Sequence, residues 1–174
     1  MTDHELEEAA STASGRTGRN SLSQKGSTMD TKDSCPGPRV ATYALIGRGE
    51  ELLVHDNGDG SCSLPGTAVR DGELVEAALR RAVTDQLATG PADVDFCTVV
   101  EHALAPEVHG SPTELAFLFD VTFADQCAEK PTWPGRFRWE DNESVSSRLR
   151  PLAVRTLHLR GLLSSRNPWH AWLP

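Results

Sequence analysis

Alternating and continuous apolar runs along the middle of the chain predict β-strands. VATYALIG and ELLVHD, separated by a turn at residues 47–51, are the first two, and RFRWED at 136–141 is the last. Between them, DFCTVVEHALA and ELAFLFDVTF predict two longer strands. The second of these has apolar residues on both faces, as Phe117 and Leu118 illustrate, so we expect a central strand that is covered on both sides.

Two further segments have apolar residues at helical spacing. In the first, from Leu74 to Leu87, Asp71 and Glu73 place negative charge at the amino-terminal end, where helix N–H groups are unpaired. The second runs from about Ser147 to Leu163, with its apolar face at positions 149, 152, 156, 159 and 163. Strands, helix, strands and a final helix in this order predict an α/β domain.

The segment LPGTAVRDGELVEAALRRAVTDQLATG resembles the Nudix box of the Nudix hydrolases. Gly66 closes the Leu-Pro-Gly turn that usually precedes the box, Gly72 and Glu73 match its Gly-Glu pair, and Arg81 falls on its arginine. The resemblance implies that Gly66, Gly72 and Glu73 are structural, with Glu73 tied to Arg81. It covers about residues 40–163 and implies a Nudix-like α/β/α sandwich with a mixed central sheet.

The positions that define catalysis in this family depart from its pattern. In Nudix hydrolases, glutamates on one helix face hold Mg²⁺, which bridges a diphosphate and activates the attacking water. Here Ala82, Asp85 and Gln86 stand at those positions, and Thr67 and Ala88 replace two glycines. Because Asp85 is the one carboxylate that remains, we expect weak binding of Mg²⁺ or Mn²⁺, or none, at a degraded or repurposed site.

Three residues join Asp85 as catalytic candidates. Glu114, at the start of the central strand, resembles the position from which some Nudix enzymes contribute an extra acid. Glu76 could supply a substitute carboxylate, although it lies on a different side of the helix from Asp85. His102 could act as an acid or a base at neutral pH. For each of them, the alternative is an ordinary surface residue.

Four residues are candidates for substrate binding. Arg81 and Gln86 lie on the polar face of the box helix, and His109 lies in the loop before the central strand. Arg138 and the later arginines could bind a phosphate or a carboxylate, because a guanidinium group offers a two-pronged donor. The alternative for the arginines is a basic surface.

Three functional interpretations follow from this pattern. The first is a divergent Nudix-type hydrolase acting on a nucleoside-diphosphate-linked or other phosphorylated small molecule, with a weakened metal site. The second is an enzyme repurposed for a metal-independent acid/base reaction on a small metabolite. The third is a catalytically inactive protein that binds a small molecule. The fold class alone does not choose among them.

Composition and short motifs argue against several kinds of partner and site. A net charge of -8 argues against a nucleic-acid partner, and four cysteines without a C-x-x-C pair argue against zinc and a disulfide framework. The DNGDG segment lacks the later glutamate of an EF-hand loop, so it predicts a hairpin or linking loop. No apolar run approaches a membrane span, and DHELEEAA is unlike a signal peptide, so we expect a cytoplasmic protein.

The chain divides into three predicted parts. Residues 1–38 are rich in serine, threonine and glycine, which predicts a disordered N-terminal tail. Residues 39–165 form the Nudix-like domain, and residues 166–174 form a C-terminal tail that contains two tryptophans. Because exposed tryptophans usually bury against something, we expect this tail to fold back over the domain or to form a homodimer contact.

Overall fold

The fold described below is that of a computed structural model. It describes residues 37–105, 107–124, 134–163, 166 and 168–171. The predicted N-terminal tail therefore lies outside the described residues, apart from Gly37 and Pro38. The helices and strands, numbered in chain order, are β1 Arg39–Leu45, β2 Gly47–Arg48, β3 Glu51–Asp56, β4 Cys62–Ser63, β5 Gly66–Ala68, α1 Val75–Leu87, β6 Asp93–Ala103, β7 Thr113–Thr122, β8 Phe137–Asp141, α2 Asn142–Arg148, β9 Leu149–Arg150, α3 Leu152–Leu159 and β10 Trp169–His170.

The strands form two mixed sheets. The first has the order β10-β6-β7-β1-β5, in which β7 runs parallel to β1 and antiparallel to β6. The second has the order β2-β3-β4-β9, and β8 pairs with β3. The α/β class and the central position of β7 are confirmed, whereas one mixed sheet was expected and two are present.

Helices pack on both sides of these sheets. Leu79 and Val83 of α1 belong to one buried cluster with Leu53 of β3 and Val121 of β7. Residues of α2 and α3 belong to a second cluster that contains Leu118, the neighbour of Phe119 on β7. Because successive strand residues point to opposite faces, the two clusters lie on opposite sides, as the α/β/α prediction requires.

Two details of the predicted helices were wrong. Leu74 is the N-cap of α1 and is 77% exposed, so the apolar face of this helix begins at Ala78. The single final helix from Ser147 to Leu163 is instead α2 and α3, separated by β9 and Pro151. A proline restricts the residue before it to extended backbone, so the helix cannot run through this position.

The β3–β4 loop and the C-terminal segment agree with the sequence predictions better than the helices do. The DNGDG segment joins β3 to β4 as an antiparallel hairpin, in which Asp56 and Asp59 accept hydrogen bonds from the N–H groups of Gly58 and Ser61. Near the C-terminus, Trp169–His170 pairs in parallel with β6, so this part of the predicted tail does fold back onto the domain. No helix among the described residues is both long and apolar enough to cross a bilayer.

The box helix ends in a left-handed conformation. Ala88, at the position of the closing glycine of the Nudix box, is the C-cap of α1 with φ 55°. Helices commonly end with a residue in this conformation, and glycine adopts it without the steric penalty of a Cβ atom. The backbone of the box is therefore retained although its glycine is not.

We predict that Ala88→Gly stabilises the protein. Relief of left-handed strain is worth about 1–2 kcal/mol, and the greater unfolded-state freedom of glycine offsets about 0.4–1 kcal/mol of it. Chemical denaturation should therefore show a gain of about 0.5–1 kcal/mol. The matched control is Ala77→Gly inside α1, which should destabilise by about 0.5–1 kcal/mol. A loss of stability in Ala88→Gly would contradict the assigned backbone conformation.

Candidate functional site

A cavity of about 900 Å³ lies between the first sheet, the segment around Pro151 and helix α3. We call it the Glu114 cavity, after the buried acid in its wall. Its lining residues are Arg39, Tyr43, Ser63, His102, Ala103, Leu104, Glu107, Glu114, Arg150, Pro151, Leu152, Ala153, Thr156 and Arg160. It combines an apolar wall with a few convergent polar groups, which is typical of small-molecule sites.

Strand register builds the polar part of this cavity. Glu114 on β7 lies opposite His102 on β6 and opposite Arg39 on β1, so the three residues form one row across three strands. Directly opposite side chains project from the same face of a sheet. Tyr43, four residues after Arg39 on β1, has its ring on this face as well.

The Glu114 carboxylate is almost fully buried and is contacted on both oxygens. It is 1% exposed, and the Tyr43 hydroxyl donates a hydrogen bond of 2.9 Å to its Oε1. His102 Nε2 lies 3.3 Å from the same oxygen, and Arg39 Nε lies 3.2 Å from Oε2. A buried carboxylate needs such partners, because isolated charge is strongly destabilised away from water.

These contacts decide the protonation states. Burial raises the pKa of Glu114, but the nearby His102 and the Tyr43 hydroxyl outweigh it, and the pKa lies below its usual value. Burial and the adjacent Glu114 raise the pKa of Tyr43, which keeps the phenol protonated as a donor. Burial lowers the pKa of His102, but Glu114 and the Ala103 carbonyl outweigh it, and the pKa lies above its usual value.

The imidazole of His102 is held in one orientation. Its Nδ1 lies 3.1 Å from the carbonyl oxygen of Ala103, which assigns a proton to Nδ1. Its Nε2 is close to Glu114 Oε1, yet it lacks hydrogen-bond geometry to any described residue, and the side chain is 4% exposed. This nitrogen is therefore buried against the Glu114 carboxylate.

Two arginines supply positive charge to the same cavity. Arg150 precedes Pro151, and Arg160 follows α3, and both side chains belong to exposed residues. Neither forms a salt bridge with a carboxylate in the described part of the chain. Guanidinium groups in this situation favour binding of a phosphate or a carboxylate.

The box residues form a rigid support instead of a cluster of ligands. Arg81 donates to both oxygens of Glu73, at 2.8 Å and 2.9 Å, and the N–H of Arg70 donates to Glu73 Oε2. The Arg81 hydrogen bonds lower the pKa of Glu73 to about 2. Gly72 has a φ of 76°, which favours glycine. Glu73 is tied to Arg81, which is the contact that the resemblance implied. Arg81 lies outside the Glu114 cavity.

Gln86 is also occupied. Its Nε2 donates to the carbonyl oxygen of Gly66 at 2.8 Å, and its Oε1 accepts from the N–H of Gly66 at 3.2 Å. A Cβ atom on Gly66 would collide with the Thr42 carbonyl and with Tyr43, so only glycine fits there. Both ends of the Gln86 amide therefore bind backbone.

The remaining predicted residues do not join the cavity. Asp85 is exposed, and Glu76 is exposed and pairs with Arg80 at 2.8 Å. Arg138 pairs with Asp56 at 2.7 Å and also contacts Glu140. His109 is an exposed residue of the loop between β6 and β7. Of the eight predicted catalytic and substrate-binding residues, the cavity brings together Glu114 and His102.

A magnesium ion at the box does not fit the residues present. The described residues contain no group of three or more His, Cys, Asp or Glu side chains that could hold a metal ion. Asp85 lies nine residues from Glu76, the other carboxylate of the box helix, and the neighbouring amide of Gln86 is engaged with Gly66. A hard dication needs several oxygen ligands and charge compensation, which this helix end lacks.

Sequence reasoning missed Arg39 and Tyr43, whereas Arg150 and Arg160 belong to the later arginines that it named as candidates for binding a phosphate or a carboxylate. The only tyrosine of the chain lies in an otherwise apolar strand, where a buried hydroxyl needs a partner, and this was a usable signal. Arg39 had no such signal, because only the register of β1 against β7 brings it to the cavity.

Comparison with known proteins identifies the fold. No protein-family model matches the sequence, and no curated protein does. Among solved structures, a MutT protein from Bacillus halodurans is 14% identical, with a TM-score of 0.60, 76% of this chain covered and 88% of that chain. A MutT Nudix hydrolase from Burkholderia pseudomallei is 20% identical, with a TM-score of 0.55 and coverages of 71% and 96%.

A third similar structure is the E. coli dihydroneopterin triphosphate pyrophosphohydrolase. It is 13% identical, with a TM-score of 0.56, and the match covers 72% of this chain and 97% of that chain. The chain described here therefore has the Nudix fold, as the box resemblance implied. At these identities, the similarity establishes the fold, and function has to be argued from the site.

We predict that Glu114→Gln lowers the pKa of His102. The substitution removes the negative charge that opposes the effect of burial on the imidazole. Because folding raises the pKa of His102, its stabilising contribution is fully present below the unfolded value of 6.5 and is lost as pH rises through the folded value. This pH-dependent contribution should disappear in the variant.

The measurement is an NMR titration of the His102 imidazole, combined with denaturation at several pH values. The control is Glu101→Gln, which removes a carboxylate one residue away on the opposite face of β6. An unchanged His102 titration in Glu114→Gln would show that this carboxylate does not hold the imidazolium.

Proposed function

We propose that the chain is a Nudix-fold hydrolase that acts on a phosphorylated small molecule, such as a nucleotide derivative, bound in the Glu114 cavity. In this proposal the acid/base pair Glu114–His102 performs the proton transfer, and no metal ion at the box is needed. The observation that carries it is the buried Glu114 carboxylate, which contacts His102 and Tyr43 in the wall of a 900 Å³ cavity.

The chemistry follows from the two protonation states. An ionised, buried Glu114 favours the protonated imidazole of His102, whose Nε2 lies 3.3 Å from Glu114 Oε1 in the wall of the cavity. This N–H can protonate the leaving oxygen as the bond to phosphorus breaks. Pairs of titratable groups with pKa values pushed in opposite directions are a common feature of acid/base sites.

The arginines account for the anionic part of the substrate. Arg150 and Arg160 line the same cavity and form no salt bridge with a carboxylate among the described residues, so they can bind phosphoryl oxygens. Positive charge held in place around a phosphoryl group stabilises the charge that develops in the transition state. This supports a phosphorylated substrate over a neutral metabolite.

Catalytic inactivity is the second candidate. Arg39 and Tyr43 contact the two oxygens of Glu114. In this candidate, the immobilised acid contributes to ligand binding and not to catalysis. This candidate predicts that a ligand raises the melting temperature without turnover, because a molecule that binds only the folded state stabilises it by mass action.

The test is hydrolysis of a panel of nucleoside triphosphates, nucleoside diphosphate sugars and dinucleotides, with Mg²⁺, with Mn²⁺ and with EDTA. We expect turnover that persists in EDTA. Glu114→Gln and His102→Gln should each lower kcat by about 10²–10⁴-fold, the usual contribution of a general acid or base. Asp85→Ala should leave kcat unchanged, because this exposed side chain lies outside the cavity.

Two results would contradict the proposal. Turnover that requires a metal ion and is abolished by Asp85→Ala would show that the box still holds a catalytic ion. Absence of turnover across the panel, together with a raised melting temperature for one of its members, would show a binding protein.

A further inference from the structure

Two leucine side chains are exposed in the wall of the Glu114 cavity. Leu104, directly after β6, is 43% exposed, and Leu152, the first residue of α3, is 38% exposed. Ala103, Pro151 and Ala153 line the cavity beside them, so two chain segments contribute its apolar lining. Exposed apolar surface that is rimmed by polar groups is typical of a ligand-binding groove.

Each of these leucines lies two residues from a charged or ionisable group of the same cavity. Leu104 follows His102 at this spacing, and Leu152 follows Arg150. Cα atoms two residues apart are separated by at most about 7 Å. The apolar part and the anionic part of one small ligand can therefore contact neighbouring positions in this wall.

Helix α3 has the same combination of groups on one face. Leu152, Thr156 and Arg160 line the cavity at intervals of four residues, and each interval corresponds to about 6 Å along the helix axis. The face therefore changes from apolar at the first residue of the helix to cationic at its C-cap, Arg160. A ligand that lies along α3 has to match both ends.

The loop after β6 favours an uncharged group beside Leu104. Glu107 lines the cavity from this loop and is exposed. Its carboxylate repels a second anionic group at this position, whereas the guanidinium groups of Arg150 and Arg160 attract one. We therefore expect the phosphate of a ligand at the arginines and its neutral part beside Leu104.

The apolar lining is aliphatic and not aromatic. Among the described residues that line the cavity, none is phenylalanine or tryptophan. The two rings in its wall are Tyr43 and His102, and the polar ends of both are in contact with Glu114. Proteins commonly hold nucleobases by stacking them on exposed aromatic faces. The lining of this cavity therefore favours an aliphatic group over a nucleobase.

We propose that the phosphorylated molecule hydrolysed in this cavity carries an aliphatic group, which binds against Leu104 and Leu152 while its phosphate binds to Arg150 and Arg160. This inference rests on the hydrolase function proposed above and specifies its substrate class, an ester of a phosphate or a diphosphate with an aliphatic alcohol. A nucleoside diphosphate that is esterified with such an alcohol belongs to the same class.

Titration calorimetry of the full chain with inorganic phosphate and with methyl, butyl and hexyl phosphate tests the inference without a need for turnover. We expect the affinity to rise from methyl to hexyl phosphate by about two- to fourfold for each added CH₂ group, because complete burial of one such group is worth about fourfold. Adenosine monophosphate should bind no more tightly than methyl phosphate. Equal affinities for the three alkyl phosphates, or tighter binding of adenosine monophosphate than of hexyl phosphate, would overturn the inference.

Four variants locate the aliphatic group and the phosphate. Leu104→Ser and Leu152→Ser should each reduce the dependence on chain length and leave the affinity for inorganic phosphate unchanged, which also shows that the variant is folded. Arg160→Gln should weaken all four ligands by the same factor, because they share the phosphate. The matched control is Leu159→Ser, an exposed position of α3 outside the cavity, which should keep the wild-type dependence. Wild-type dependence in both cavity variants would overturn the inference.

A kinetic comparison separates this inference from the proposed function. Hydrolysis of the hexyl ester of adenosine diphosphate in EDTA, with a higher kcat/KM than the methyl ester, would support both proposals. Turnover of the nucleotide panel together with equal affinities for the alkyl phosphates would overturn this inference and leave the hydrolase proposal intact. Binding that depends on chain length, without turnover of any panel member or ester, would overturn the hydrolase proposal and support the class of ligand.

Discussion

The burial of one carboxylate constrains the centre of this molecule. Glu114 is 1% exposed on the central strand β7, and a lone charge at this depth would be strongly destabilising. The register of β1, β6 and β7 places Arg39 and His102 opposite Glu114, with the Tyr43 hydroxyl close by. These partners stabilise the buried charge. Removing one partner of such a buried group typically costs about 3–5 kcal/mol.

The box helix of this chain has a hydrogen-bonded amide where the family resemblance implies a metal ligand. Two sets of hydrogen bonds fasten it, one between Glu73 and Arg81 and the other between the Gln86 amide and the backbone of Gly66. A glutamate at position 86 could accept from the Gly66 N–H but could not donate to its carbonyl. The replacement therefore exchanges a candidate metal ligand for a second attachment of the helix.

Each of the two sheets carries a row of polar side chains on neighbouring strands. The row on the first sheet carries the ionised acid and its histidine, and the row on the second sheet carries His55, held by Asn57, and Arg150. Rows of this kind lie on strands, which position side chains more rigidly than loops do. Glu114, His102 and Arg150 thereby line one cavity without a contribution from Asp85.

The sequence by itself determined the five longest strands, the box helix, the α/β class and the Glu73–Arg81 pair, because periodicity, propensity and motif spacing are local. It also identified Glu114 and His102 as candidates. Only the tertiary structure decided that these two meet, that Tyr43 and Arg150 line the same cavity, and that Asp85 does not. Contacts between distant strands depend on register, which a single sequence read along its length does not specify.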